Sequence, residues 1–441
     1  MTNVIRVINE MSTFSVLRRA GFWSTDLLQG RHVARHLSDL ERCLSNPSVV
    51  GPLSDSRLAA LLNHAAKTTP FYSKFKSASD LSEFPVIQKE IVKRNFEEFF
   101  SSSYSFRSLK PVNTSGSYGT PFTFYLNGQK RARRTAEVIF FSHWAGYRIG
   151  TKHAKVTCLK QKSRLKLWLQ NELLFDPTIL DLQCLERLRR FVLNSAARIV
   201  IGNPSTFEAL AEYCRTKGDI PDMYAIDGII TEGEILPDTS HEMMESVFGC
   251  TVLARYSLNE LGVVAHQCPQ ARKYHLNPAS YVVEILSMDK DNPATEGEVG
   301  RIVVTDLFSH AMPLIRYDTG DLGAWGESCS CGLDTPMLRA IEGRAVEPVY
   351  NTEGVKILPM AVNNLMRDIA HVIQFRFIQK GKGDYTMSLL TMPAFAQEQV
   401  IRDRLKRILG KDANVRFEYV DSIPPLKSGK RPYVINEYRY S

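Results

Sequence analysis

The chain has 441 residues, 44% of them hydrophobic and 23% charged, and carries a net charge of +8. That length exceeds one hydrophobic core, so the composition describes a globular protein of at least two domains and excludes a disordered or fibrous one. The positive balance suits anionic small molecules, an acidic protein partner or nucleic acid equally well, and composition alone favours a plain solvated basic surface.

The N-terminal stretch MTNVIRVINE is broken by Arg6, Asn9 and Glu10 and lacks the apolar core of a secretion signal. Residues 1–50 read as helical. From Ser54, Leu58, Leu61, Leu62, Ala65 and Ala66 repeat at helical spacing and stop at Thr69-Pro70-Phe71-Tyr72. A short element follows Pro85-Val86-Ile87, and Phe96, Phe99 and Phe100 are expected to pack onto a core. Next come Thr114-Ser115-Gly116-Ser117-Tyr118-Gly119-Thr120-Pro121, then a strand-like run at 122–126. Glycines permit positive φ, and converging N–H groups with Ser and Thr hydroxyls can hold an anion. The physical reading is a phosphate-gripping loop; an ordinary hairpin turn has the same composition. It is not a P-loop, because no lysine follows the second glycine.

Arg131 to Arg134 followed by Val138 to Trp144 predicts a helix that begins basic and becomes buried. Thr151 to Lys166 is rich in lysine and reads as a solvated face, with a phosphorylated acceptor as the functional option. Strand, turn and helix then alternate. Strands are expected at 197–201, 225–230 and 251–255, and helices at 207–217 and 240–248. This is the pattern of a parallel sheet flanked by helices, in which ligands bind beyond the carboxyl ends of strands. Residues 281–286 and 300–305 read as an antiparallel unit. Beyond Gly343-Arg344, strands at 371–380, 385–391 and 414–420 with a helix at 395–409 read as a small α+β lobe. The expected organisation is a large α/β domain, 1–343, and a small mobile α+β domain, 344–441. No apolar run approaches the roughly 18 residues of a membrane span. Eight cysteines do not make a disulfide scaffold at this length. The expected compartment is the reducing cytoplasm, without membrane insertion.

Four further stretches carry polar groups suited to a nucleotide: Tyr256-Ser257-Leu258-Asn259-Glu260, Arg316 to Asp321, Gly343-Arg344 and Ser428-Gly429-Lys430. An acid at a strand end can hold hydrated Mg²⁺, a carboxylate can accept ribose hydroxyls, and a mobile lysine can meet developing negative charge. In this order, TSGSYGTP, YSLNELG, RYDTGDL and IPPLKSGKRPYV resemble the adenylate-forming superfamily of acyl-CoA synthetases. The closer resemblance is to the branch with phenylacetate–CoA ligase and the CapK-type proteins of polysaccharide gene clusters. It runs from about Ser54 to the end.

The resemblance implies two steps. A carboxylic acid, aromatic by family analogy, attacks ATP to give acyl-AMP and pyrophosphate; CoA, or alternatively an amine or hydroxyl, then displaces AMP. By position, Thr114, Ser115, Gly116, Ser117, Gly119 and Thr120 would hold phosphates. Gly233, Glu234, Tyr256 and Ser257 would border adenine, Asp321 would bind ribose, and Arg344 would lie near the nucleotide. Glu260 would ligate Mg²⁺, and Lys430 would act in the first step only. Tyr118, Asn259 and the run Gly343-Arg344-Ala345-Val346-Glu347 depart from the family pattern. A homodimer is compatible with the sequence, and nothing in it indicates nucleic-acid binding.

Cys268, His275, Cys329 and Cys331 form a Cys₃His set suited to tetrahedral zinc, with His266 as a competing ligand. Their spacing is not that of a common finger; relatives implied by the resemblance have a comparable arrangement. Such a site would be structural.

Overall fold

Asn46 opens the helix Pro47–Thr68 by accepting the Ser48 N–H on its side chain, with proline at the first turn. Leu61 and Ala65 of that helix are fully buried against Tyr72, Phe84 and Phe99, so the N-terminal aromatics are core. The structure, a computed structural model, describes residues 13–76, 80–113, 122–158, 162–295, 297–342, 349–357, 359–366, 368–426 and 429–438. The glycine-rich stretch 114–121, Arg344, the linker 343–347 and Ser428 lie outside them.

The chain divides into two compact units. The first comprises residues 1–151, 169–171 and 253–344. Its sheet runs, in spatial order, Tyr281–Leu286, Gly300–Asp306, Tyr317–Gly326, Met337–Glu342, Tyr274–Leu276, Gly262–Gln267 and Thr251–Leu258. Every pairing in that run is antiparallel. The expected antiparallel unit at 281–305 is present and is one edge of this larger array.

The helix Gly128–Ser142 becomes buried toward its end as expected, but its basic start departs from the expectation. Its basic start is buried as well as its apolar end: Lys130 and Arg133 are 1% and 0% exposed, and Ile139 and Phe141 are 5% and 0%. The reason is electrostatic. Lys130 Nζ lies 2.6 Å from the buried Asp306 carboxylate. Arg133 is 2.5 Å from Asp39 and donates to Ser280 Oγ at 2.8 Å. Buried charges persist when each has a partner of opposite sign and donors to match.

The second unit comprises residues 152–168, 172–252 and 345–441. Parallel strands Gly228–Glu232, Ile199–Gly202, His153–Val156 and Glu172–Phe175 lie in that order. The helices Leu182–Asn194, Pro204–Thr216 and Asp238–Phe248 connect or follow them. The strands expected at 197–201 and 225–230 are therefore parallel neighbours, whereas the third, expected at 251–255, pairs antiparallel with Gly262–Gln267. Within the lysine-rich stretch, Lys155 pairs with Glu232 at 2.9 Å and Lys162 with Glu172 at 2.6 Å, so part of that face is neutralised.

A second sheet, ordered Asn414–Tyr419, Asp384–Thr391, Val372–Gly381 and Val434–Asn436, has its own core of Phe377, Met387, Leu389, Ile401 and Leu405. The helix expected from 395 begins at Glu398. Arg431, 3% exposed, ties this sheet's last segment to the parallel layer. It donates to the carbonyls of Pro177, Thr178 and Ile423, and to Thr206 Oγ1. Tyr433 adds a hydrogen bond to Glu208.

Candidate active site

Two backbone irregularities in the first unit shape the candidate site. Strand Gly300–Asp306 pairs Arg301 with Leu322 and Val303 with Asp318. Ile302 alone therefore faces Thr319, Gly320 and Asp321, and the three residues bulge from the ladder. Bulges of this kind aim side chains out of a sheet. Gly320 adopts φ 75°, where a side chain would be strained. Thr319 Oγ1 pins the bulge by donating to Ile302 O at 2.8 Å, and accepts the Asp321 N–H at 3.1 Å. The second irregularity is a register shift between Tyr256 and Ser257, just before the turn that bears Glu260.

These features bring four sequence-identified residues together. Tyr256 Oη donates to Asp321 Oδ2 at 2.8 Å and lies 3.3 Å from Thr319 Oγ1. Burial, reinforced by the Asp321 charge, holds the Tyr256 phenol well above its usual pKa, so it remains a donor. Glu260 is 6% exposed and accepts from Tyr317 Oη at 3.0 Å. One strand, Tyr317–Gly326, thus orients one acid and presents the other. Ser257 follows Tyr256 and is partly buried.

Sequence reasoning missed Tyr317, although it lies within RYDTGDL. It also missed the buried clamp behind Glu260. Tyr281 Oη lies 3.0 Å from Leu261 O, 3.1 Å from Glu137 Oε2 and 3.2 Å from Lys130 Nζ. Val263 N donates to Glu137 Oε2 at 3.2 Å. A Cβ on Gly262 would fall 2.5 Å from Glu137 Oε2 and 2.7 Å from Tyr281 Oη, and its φ is 132°. Only glycine fits directly behind the acid-bearing turn. Burial raises the Glu137 pKa, against the opposing pull of Lys130 and Arg133.

In the second unit, Gly233, Glu234 and Lys430 come together. A Cβ on Gly233 would sit 4.0 Å from Lys430 Cε. Glu234 Oε1 accepts from Asn203 Nδ2 at 3.1 Å and from Arg431 N at 2.7 Å, while Oε2 accepts from Ser205 N at 3.1 Å. Ser205 stands in the first turn of Pro204–Thr216, where a carboxylate is favoured by exposed N–H groups and the helix dipole. Glu234 therefore fastens the lysine-bearing segment, a role its sequence context did not indicate.

Cys268, His275, Cys329 and Cys331 offer four ligand atoms within 4.8 Å of one another. The Cys268 and Cys329 sulfurs are 3.7 Å apart, and Cys331 Sγ is 3.2 Å from His275 Nε2. Tetrahedral zinc with bonds of about 2.3 Å sets sulfurs about 3.8 Å apart, so the set fits. His275 Nδ1 meets Thr335 Oγ1 at 2.8 Å, which orients the ring as metal-bound histidines require. Burial raises the Cys329 thiol, but the Cys331 N–H and neighbouring thiols bring it below the usual value; burial pushes Cys331 up to about 11. His266 is not in the cluster. It stacks on Phe141 at 5.6 Å, meets Trp144 at 5.5 Å, and burial lowers its pKa to about 3.

Residues 349–437 match the CapK C-terminal domain. Across 93% of this chain and 94% of the relative, the sequence is 21% identical to Protein CapK of Staphylococcus aureus. It is 27% identical to the phenylacetate-coenzyme A ligase of Thermus thermophilus, over 43% of each chain. A solved 2-hydroxyisobutyryl-CoA ligase in its postadenylation state superposes with a TM-score of 0.70 at 17% identity, covering 87% and 89% of the two chains. The fold is that of the adenylate-forming CoA ligases. Its C-terminal domain is of the CapK type.

Proposed function

We propose that the chain is an ATP-dependent acyl-activating ligase. A substrate carboxylate oxygen attacks the α-phosphorus of ATP; the bond from that phosphorus to the departing pyrophosphate breaks, giving acyl-AMP. The CoA thiol then attacks the acyl carbon and loses its proton to solvent, and AMP departs with the electron pair of the broken acyl–phosphate anhydride bond. The observation that carries this reading is the strand Tyr317–Gly326, which bulges Asp321 toward Tyr256 and orients Glu260 through Tyr317.

Asp321 is the acceptor for ribose hydroxyls, and Tyr256 with Ser257 borders the base. Gly233 gives the backbone room beside Lys430, whose ammonium meets negative charge in the first step. Glu234 borders adenine while fixing the lysine-bearing segment. Residues 114–120 and Arg344 complete the nucleotide contacts by family position. Glu260 fits Mg²⁺ as an oriented carboxylate, and the ion would supply charge neutralisation on the phosphates. The Cys₃His set fits a closed structural zinc, with no position left for substrate. We assign residues 344–441 as the mobile domain, turning about 343–347 between half-reactions. The names of the ligase relatives favour CoA as acceptor and an aromatic or small acid as substrate. A reaction that consumes ATP and CoA suits the cytoplasm, where both are supplied.

A panel of carboxylic acids scored by pyrophosphate release, with and without CoA, tests this. Acid-dependent release followed by thioester formation is expected. Release independent of acid, or none with any acid, overturns the proposal. Amide or ester formation in place of thioester moves the second step to an amine or hydroxyl acceptor.

A further inference from the structure

The helix Arg164–Gln170, RLKLWLQ, turns its apolar side outward. At about 100° per residue, Trp168, Leu165 and Leu169 share one stripe about 100° wide. They are 58%, 67% and 54% exposed. Leu167 projects to the other side and is partly buried; no residue of the helix is buried. An ordinary surface helix shows the reverse pattern. Arg164 and Lys166 stand on the two borders of the stripe, and both are exposed. The chain continues into Glu172–Phe175, the edge strand of the parallel layer, and then to Ile179, 64% exposed.

The flanking cations decide what suits this stripe. An exposed apolar strip bordered by Arg and Lys matches a surface that is apolar below and anionic above. We propose that this helix is a peripheral docking element for an anionic phospholipid surface. Trp168 rests at headgroup depth and the leucines below it. The stems of Arg164 and Lys166 snorkel so that their charges reach lipid phosphates. A helix of two turns lies on such a surface and does not cross it. Among the described residues, no helix is long and apolar enough to span a membrane. This inference does not depend on the ligase reading.

The test is co-sedimentation of the full chain with vesicles of equimolar phosphatidylcholine and phosphatidylglycerol, against phosphatidylcholine alone. Two double variants are compared with the unaltered chain: Leu165→Glu with Trp168→Glu, and Arg164→Glu with Lys166→Glu. Circular dichroism melting confirms that each is folded. The expected result is salt-sensitive binding to the anionic vesicles. The apolar variant should lose it, and the charge variant should weaken it roughly fivefold or more for each cation removed. Binding without anionic preference, or unchanged in both variants, overturns the proposal. So does a concentration-dependent dimer that the apolar variant abolishes, because a second copy then covers the stripe.

Discussion

The acids of the first unit and the lysine of the second are held in different ways. Glu260 and Asp321 hang from a sheet, and the turn behind Glu260 is clamped by Glu137, Tyr281 and Lys130, each at most 2% exposed. Lys430 sits on an irregular segment outside any strand, fastened by Glu234 and by its neighbour Arg431. Most of those fastenings end on carbonyls or hydroxyls, groups that water can satisfy when a contact opens. The difference teaches that the two acids are held by a sheet and a buried clamp, while the lysine is held on an irregular segment by contacts that water can replace.

Lys430→Ala gives the largest expected effect: adenylation falls by about 10²–10³-fold, as when a single charge-stabilising donor is removed. Thioester formation from supplied acyl-AMP should persist. Equal loss of both half-reactions, read by pyrophosphate release and thioester assay, would erase the distinction between the two regions. Chelation comes next. Stripping zinc should release one ion per chain, measured by absorption spectroscopy, and lower the melting temperature by several degrees. A metal-free preparation of equal stability would remove zinc from the rigid side of the comparison.

Asp321→Ala should weaken nucleotide binding by about 10–100-fold, the range of one or two hydrogen bonds to a charged acceptor. Calorimetric titration with ATP reads this directly, and unchanged affinity would detach Asp321 from the site. Smallest is Tyr281→Phe, which keeps the ring and removes the hydroxyl that meets Leu261 O, Glu137 and Lys130. It should cost about 1–3 kcal/mol in urea unfolding by leaving buried polar atoms without a partner. It should also raise the Mg²⁺ concentration needed for half-maximal pyrophosphate release. A stability loss with no change in Mg²⁺ response would make the clamp structural only.

Much of this was legible in the sequence. Alternating apolar runs at 197–201 and 225–230 fixed the parallel strands, because buried strands flanked by Gly and Pro turns have few other homes. RYDTGDL and YSLNELG marked the acids, and the separated Cys and His residues marked the Cys₃His cluster. The helix Gly128–Ser142 was misread at its basic end. Linear pattern assigns charge to solvent, and the carboxylates that neutralise Lys130 and Arg133 come from Asp306 and Asp39, distant in the chain.

Local patterning by itself marked several helices and strands and the polar turns between them, since these follow from side-chain period and turn residues; it passed over the strands His153–Val156 and Glu172–Phe175 inside and after the lysine-rich stretch. Only the tertiary structure decided that three residues would bulge opposite Ile302, that Tyr317 would orient Glu260, and that Glu234 would fasten the lysine-bearing segment. Those outcomes depend on pairing register and on partners far apart in sequence, and neither is written in any local window.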